Sequence, residues 1–312
     1  MGTAENFSVQ SVHSKTQRGN TLVLLAGVAT SALALLIAWF LNQTEFNVMG
    51  WYLWFIVPLG AIFVGLVAGS GYCLASWQLG VKVTGLLLWF IIALQVACYF
   101  EAQYLEFSRL QPVWEDGTPI GFFEFFDYTT QTFTFEQKGG GQGKPLGMWG
   151  YAFRLLELTG FAVGGLIGSL ILGSKAYCDN CQRYMKTRSL ALLPAGPMPR
   201  KFKKKDTAGQ LQYAAEVNAQ AEVAEKLLDE AVGYVRDSNS QAFRDLVDQH
   251  NANRKENAKL TTRIDLELSH CPSCSAGHLK AKSLTGQGEQ LNTQELCTVE
   301  VRPAFVKDLL RQ

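Results

Sequence analysis

Four long apolar segments constrain the fold of this chain more than any other feature of its sequence. A helix needs about 20 predominantly apolar residues to cross the hydrocarbon core of a bilayer. The segments at 21–41, 52–74, 83–100 and 151–173 approach or exceed that length, and the first three carry no charged side chain. A buried helix of a soluble protein is rarely apolar on all sides for so long. The sequence therefore predicts an all-α, four-span membrane domain over residues 21–175.

Charges on the flanking segments predict the orientation of these spans. Lys and Arg accumulate on cytosolic flanks. The N-terminal tail, residues 1–20, carries Lys15 and Arg18 close to the first span, and residues 175–205 carry nine Lys or Arg against one acid. The loop at 101–150 has seven acids against three bases. We therefore expect both termini in the cytosol and this loop outside, and the chain's size suggests a bacterial inner membrane.

Three polar side chains lie within the predicted membrane-spanning segments. Arg154 and Glu157 are one turn apart in the fourth span and can pair along one helix face, and Gln95 lies in the third span. An ionisable group inside a membrane is a candidate functional residue, so these three could line a path for an ion or substrate. The alternatives are that Arg154 and Glu157 lie at the level of the headgroups, and that Gln95 only bonds a neighbouring helix.

Local patterns add three expectations for the membrane domain. Gly160, Gly164 and Gly168 are spaced so that another helix could approach closely, within the bundle or across a dimer. Pro58 should kink the second span. In the outer loop, the alternating stretch "TTQTFTFE" (129–136) favours a short strand after a phenylalanine-rich run.

Two C-x₂-C pairs carry the strongest chemical signal. "CDNC" holds Cys178 and Cys181, and "CPSC" holds Cys271 and Cys274 after a gap of 89 residues. This gap exceeds the 15–20 residues of common four-cysteine zinc sites. The spacing alone therefore does not predict a shared metal site, and the flanking sequence has to be considered. Alternating residues before the second pair, "TTRIDLELSH", and strand-like stretches after both pairs place each pair at a turn between strands.

"CDNC" and "CPSC", each followed by a polar turn and a strand, resemble the zinc-ribbon superfamily over residues 176–192 and 261–302. The resemblance implies a small β domain, 176–198 with 261–312, in which the four cysteines ligate a structural zinc. Four thiolates fill the tetrahedron and leave no position for a catalytic water. The alternatives are thiol redox chemistry, which a reducing cytosol disfavours, or iron or another metal.

Residues 199–260 interrupt this predicted ribbon. They begin with five cations that could contact anionic lipid or form a solvated linker: Arg200, Lys201, Lys203, Lys204 and Lys205. A helix is expected over 207–235, because small apolar residues recur there at alternating spacings of three and four, as in a helix-packing seam. These residues are Ala214, Val217, Ala221, Ala224, Leu228, Ala231 and Val235. A second helix, from about 240 to 259, would complete a helical hairpin or a self-association arm.

Three functional hypotheses follow from these patterns. The first is a non-enzymatic membrane anchor or adaptor, whose cytosolic ribbon and helical arm bind a protein partner and support homo-oligomers. The second is a small transporter or channel component that uses Arg154 and Glu157. The third is a membrane thiol oxidoreductase. The net charge of +1 gives no general attraction to nucleic acid, and the sequence contains no phosphate loop or dinucleotide fingerprint.

Overall fold

The computed structural model describes residues 4–43, 48–54, 56–134, 143–203, 206–286 and 291–311, with the backbone alone for 4–17 and 42. The chain divides into two compact units, residues 1–175 and 176–312. In the described residues the first unit is mainly helical, and the second combines an antiparallel sheet with helices.

Four helices of the first unit are long and apolar enough to cross a membrane, which confirms that part of the prediction. They are α1 (Ala4–Asn42), α2 (Leu59–Leu79), α3 (Gly85–Leu110) and α5 (Trp149–Gly173), with the shorter α4 (Phe122–Gln131) between the last two. Helix α1 also includes most of the predicted N-terminal tail. The end of the bundle where α3 finishes and α5 begins is called the loop end below.

The second span begins later than predicted because of Pro58. Residues 48–54 and 56–58 form bends and an isolated bridge between Leu53 and Val57, and α2 starts only at Leu59. Proline has no N–H, and it disfavours the helical conformation in the residue before it. Pro58 therefore marks the start of α2, and the expected kink is wrong.

The phenylalanine-rich run of the long loop forms a helix instead of leading into a strand. Thr129 to Gln131 complete α4, so the predicted strand is wrong there, and residues 135–136 lie outside the described part. The ring of Phe107 in α3 lies 5.7 Å from that of Phe122 and 5.6 Å from that of Phe125. This packing outweighs the strand preference of the alternating pattern, since strand propensity depends strongly on context.

Glycines bring α2 and α5 into backbone contact. A Cβ atom added to Gly164 would lie 2.2 Å from the carbonyl oxygen of Ile62, and one added to Gly65 would lie 2.1 Å from that of Phe161. Gly160 and Gly168 likewise face α2, against Pro58 and Cys73. The small-residue face predicted on the fourth span therefore packs within the bundle.

Replacing Gly164 with alanine should destabilise the bundle. Its new methyl group has to push α2 away from α5, and overpacking of this kind costs about 1–3 kcal/mol. The matched control is Gly85→Ala, since a Cβ atom at Gly85 meets nothing within 4 Å. Thermal unfolding in detergent should show a lower midpoint for Gly164→Ala alone. Equal midpoints for the two variants would contradict this packing.

The second unit is built on a four-stranded antiparallel sheet. A two-stranded ribbon, β1 (Tyr177–Cys178) and β2 (Arg183–Tyr184), precedes it. The sheet has the order β3 (Lys186–Pro194), β4 (Thr262–His270), β5 (Gly277–Thr285) and β6 (Asn292–Val301). The helices are α6 (Thr207–Arg236), α7 (Ser240–Ala252), α8 (Arg254–Asn257) and α9 (Pro303–Leu310).

One face of this sheet carries the core of the unit. Ile264, Leu266 and Leu268 alternate along β4 and are buried, as their spacing predicts, against a layer that includes Phe243 of α7 and Phe305 of α9. The opposite face is polar, and Lys282 pairs across it with Glu267 at 2.6 Å. The helical insert therefore covers one face of the sheet.

Candidate metal centre and buried ion pair

The four predicted cysteine ligands meet at one point. The sulfur atoms of Cys178, Cys181, Cys271 and Cys274 all lie within 4.8 Å of one another. The first pair occupies the turn between β1 and β2, and the second occupies the turn between β4 and β5. Strand pairing brings them together, because β3 continues from β2 and pairs with β4 up to the Lys186–His270 register, next to the second turn.

The two cysteine turns share one backbone feature. The residue after each second cysteine has a left-handed backbone, with φ of 51° at Gln182 and 59° at Ser275. This conformation is costly for a residue that is not glycine. The second turn is closed by the Ser275 amide, which donates to the carbonyl of Cys271 at 2.9 Å. Neither residue type predicts a left-handed backbone, so the sequence gives no signal for these two positions.

The sulfur distances fit metal ligation better than a disulfide. Cys178 Sγ and Cys274 Sγ are 3.7 Å apart, and all four cysteines are free thiols. A disulfide bond requires about 2.05 Å, whereas zinc–sulfur bonds of about 2.3 Å in a regular tetrahedron place the sulfurs about 3.8 Å apart. The cluster is therefore compact enough for its four sulfur atoms to hold one metal ion.

The thiols differ in how readily they lose a proton. Burial acts to raise the pKa of Cys271, but the backbone N–H groups of Cys274 and Ser273 donate to its sulfur and lower the pKa to about 7. A hydrogen bond with Cys274, together with partial burial, raises the pKa of Cys181 to about 12. Burial also raises the pKa of Cys178. A bound metal ion would favour the thiolate form of all four.

A second polar cluster lies at the loop end of the first unit. Glu157 is 2% exposed, and its carboxylate accepts hydrogen bonds from Tyr52 at 2.9 Å and Tyr99 at 3.0 Å. Arg154 pairs with the same carboxylate at 3.2 Å. The guanidinium of Arg154 also lies over the ring of Phe126 at 5.5 Å. The sequence gives no signal for this role, because tyrosines near the ends of spans usually mark the membrane interface.

The structure places the other predicted polar residues apart from this cluster. Gln95 is fully buried and packs on Gly165, and no hydrogen bond to its side-chain amide is found among the described residues. In the basic segment, Arg200 pairs with Glu216 at 3.2 Å, while Lys201 and Lys203 are exposed. Lys204 and Lys205 lie outside the described residues.

Comparison with known proteins gives no relative. No protein-family model matches the chain, and neither a curated protein nor a solved structure does.

Proposed function

We propose that this protein is a non-enzymatic membrane adaptor, in which four spans anchor a cytosolic domain that a structural zinc ion holds together. Both termini would lie in the cytosol, as the distribution of Lys and Arg predicts, and a bacterial inner membrane is the proposed location. The convergence of the four thiols supports a zinc ribbon, with α6 and α7 as its inserted helical arm. A closed four-thiolate site supports a structural role for the zinc.

The observation that best supports an adaptor is that the first half of α6 is exposed. No residue at 207–223 is buried, whereas Ala224, Ala231 and Val235 further along the same helix are. The apolar seam nevertheless continues unchanged into the exposed half, through Ala221, Val217 and Ala214. An isolated helix of about 12–15 residues is marginal in water, so this half would gain stability from a partner. We propose a cytosolic protein or a second copy of the chain as that partner.

Substitution on and off the seam tests this proposal. Ala214→Glu with Ala221→Glu places charges on the seam, and Ala215→Glu with Ala219→Glu adds the same charges on the opposite face. All four alanines are exposed, so neither pair should unfold the domain.

The readout is the set of proteins crosslinked to full-length protein in membranes, including crosslinks between two copies. The seam variant should lose at least about tenfold of a specific crosslinked species, because each buried charge costs more than 1.4 kcal/mol of binding. The off-seam variant should keep that species. Identical crosslinked sets for wild type and both variants would contradict the adaptor.

A further inference from the structure

A small cavity at the loop end of the bundle has the properties of a ligand site. Its volume is about 200 Å³, and its walls come from α1, α3, α4 and α5. Gln103, Glu106 and Arg109 of α3 and the Arg154–Glu157 pair of α5 line it, beside apolar groups such as Trp39. The cavity is therefore neither an apolar void nor an open solvent cleft.

One buried hydrogen-bond donor at this cavity has no acceptor. The Glu157 carboxylate already accepts from Tyr52, Tyr99 and Arg154. A guanidinium carries five N–H donors. Nη1 of Arg154 donates to Glu157, and among the described residues Nε of Arg154 is buried without a partner. Nε of Arg154 therefore still lacks an acceptor.

Gln103 is an independent second observation. Gln103 is only 5% exposed, and its side chain lines the cavity. No hydrogen bond to its side-chain amide is found in the described part of the chain. Buried polar groups are nearly always satisfied by protein, water or ligand. An amide can donate to an anion beside the guanidinium, so Gln103 and Arg154 together form one recognition surface.

The charges limit which acceptor fits. Arg154 and Arg109 are balanced by Glu157 and Glu106, so the lining carries no net charge. A dianion would be repelled by Glu106, whereas a singly charged phosphodiester would gain the spare donors of Arg154 with less repulsion. Guanidinium groups bind phosphate oxygens with shorter and stronger hydrogen bonds than neutral donors do.

The depth of the site also suits a phosphate group. Arg154 is five residues into α5, which begins at Trp149, or about 8 Å along the helix axis. The headgroup region of a bilayer leaflet is about 5–8 Å thick. On α1, which forms one wall, Leu36 and Phe40 are 62% and 65% exposed and offer a surface along which acyl chains could run.

We propose that this cavity binds a singly charged phosphate group through the remaining donors of Arg154 and the amide of Gln103. The source is a phospholipid of the surrounding bilayer or free phosphate, and the same chemistry would recognise either. This site is independent of α6 and of the metal centre, so it stands or falls separately from the adaptor.

Thermal unfolding of the full-length protein in a neutral detergent tests the proposal. Three probes are added in turn: dihexanoyl phosphatidylglycerol, inorganic phosphate, and dihexanoylglycerol, which has the same chains without phosphate. A concentration-dependent rise in the midpoint with phosphatidylglycerol alone identifies a lipid ligand, and a rise with inorganic phosphate identifies free phosphate. If none of the probes raises the midpoint, or if dihexanoylglycerol raises it by the same amount, the proposal is overturned.

Two variants tie the response to the cavity. Gln103→Leu removes the amide, and Arg154→Lys keeps the charge beside Glu157 but loses the planar fork. Each should raise the apparent Kd of the stabilising probe about tenfold or more, as expected for the loss of a hydrogen bond to a charged group. The control is Gln78→Leu, the same change at an exposed position near the opposite end of the bundle. An unchanged Kd in Gln103→Leu, which leaves the Arg154–Glu157 pair intact, also overturns the proposal.

Discussion

Replacing Cys271 with serine is expected to abolish metal binding and to release the segment 176–185, while the sheet of the second unit stays folded. The four thiols form a small hydrophobic cluster of their own with Met185 and Ala176. The main core, between the sheet and its helices, includes none of these four cysteines. The two kinds of packing should therefore fail separately.

The released segment has little else to hold it. Strands β1 and β2 are two residues each, and an isolated two-stranded ribbon is marginal in water. A structural zinc ion can contribute about 10 kcal/mol or more of folding free energy. Loss of the ion should therefore let the first cysteine turn behave as unstructured chain.

Hydrogen exchange followed by mass spectrometry measures this directly. In Cys271→Ser, amide protection at 176–185 and at 271–276 should fall by about 100-fold or more, as expected for a loss of more than 2.7 kcal/mol. Protection at the centres of β4 and β5 should persist. Cys297→Ser is the matched control, because Cys297 packs against the sheet core and lies outside the metal cluster. Unchanged protection at 176–185 in Cys271→Ser would refute the role of the metal.

The second large effect is expected from Glu157→Leu. Removing this carboxylate leaves the Arg154 cation buried without its partner and deprives the hydroxyls of Tyr52 and Tyr99 of their acceptor. Breaking a buried ion pair on one side costs about 3–5 kcal/mol. The free energy of unfolding in mixed micelles should fall by about that amount.

Two further variants separate the ion pair from general damage. Replacing both Arg154 and Glu157 with leucine should recover part of the lost stability, since exchanging a buried pair for apolar residues is often close to neutral. Glu101→Leu, at an exposed position of α3, should change stability by no more than about 0.5 kcal/mol. A double variant less stable than Glu157→Leu would contradict an energetically coupled pair.

The sequence predicts the large elements of this fold well, for simple physical reasons. The length and apolar composition of the four segments are enough to predict the four long helices. The alternation along β4 predicts which of its residues are buried. The seam of α6 predicts a helix at nearly its observed position. That its second half packs on the sheet could not be predicted, because Ala231 and Val235 fit a sheet, a second helix or another chain equally well.

The site is predicted in part. The spacing and flanking strands of Cys178 and Cys271 suggest their convergence, although 89 residues separate the pairs. The roles of Tyr52 and Tyr99 could not be predicted, because tyrosines near the ends of spans usually mark the membrane interface. Gln103 gives no signal either, since a glutamine near a helix end is normally solvated, and only the packing of α1, α3 and α5 buries it.

X-ray absorption spectroscopy at the zinc edge of the purified full-length protein tests the central claim most directly. A single zinc ion held by both cysteine pairs predicts four sulfur neighbours at about 2.3 Å and no lighter ligand. In Cys178→Ser this signal should be lost or reduced to a site of fewer sulfurs. Protein that carries no zinc, or zinc with only two sulfur neighbours in the wild type, would contradict the joining of the two pairs by one ion.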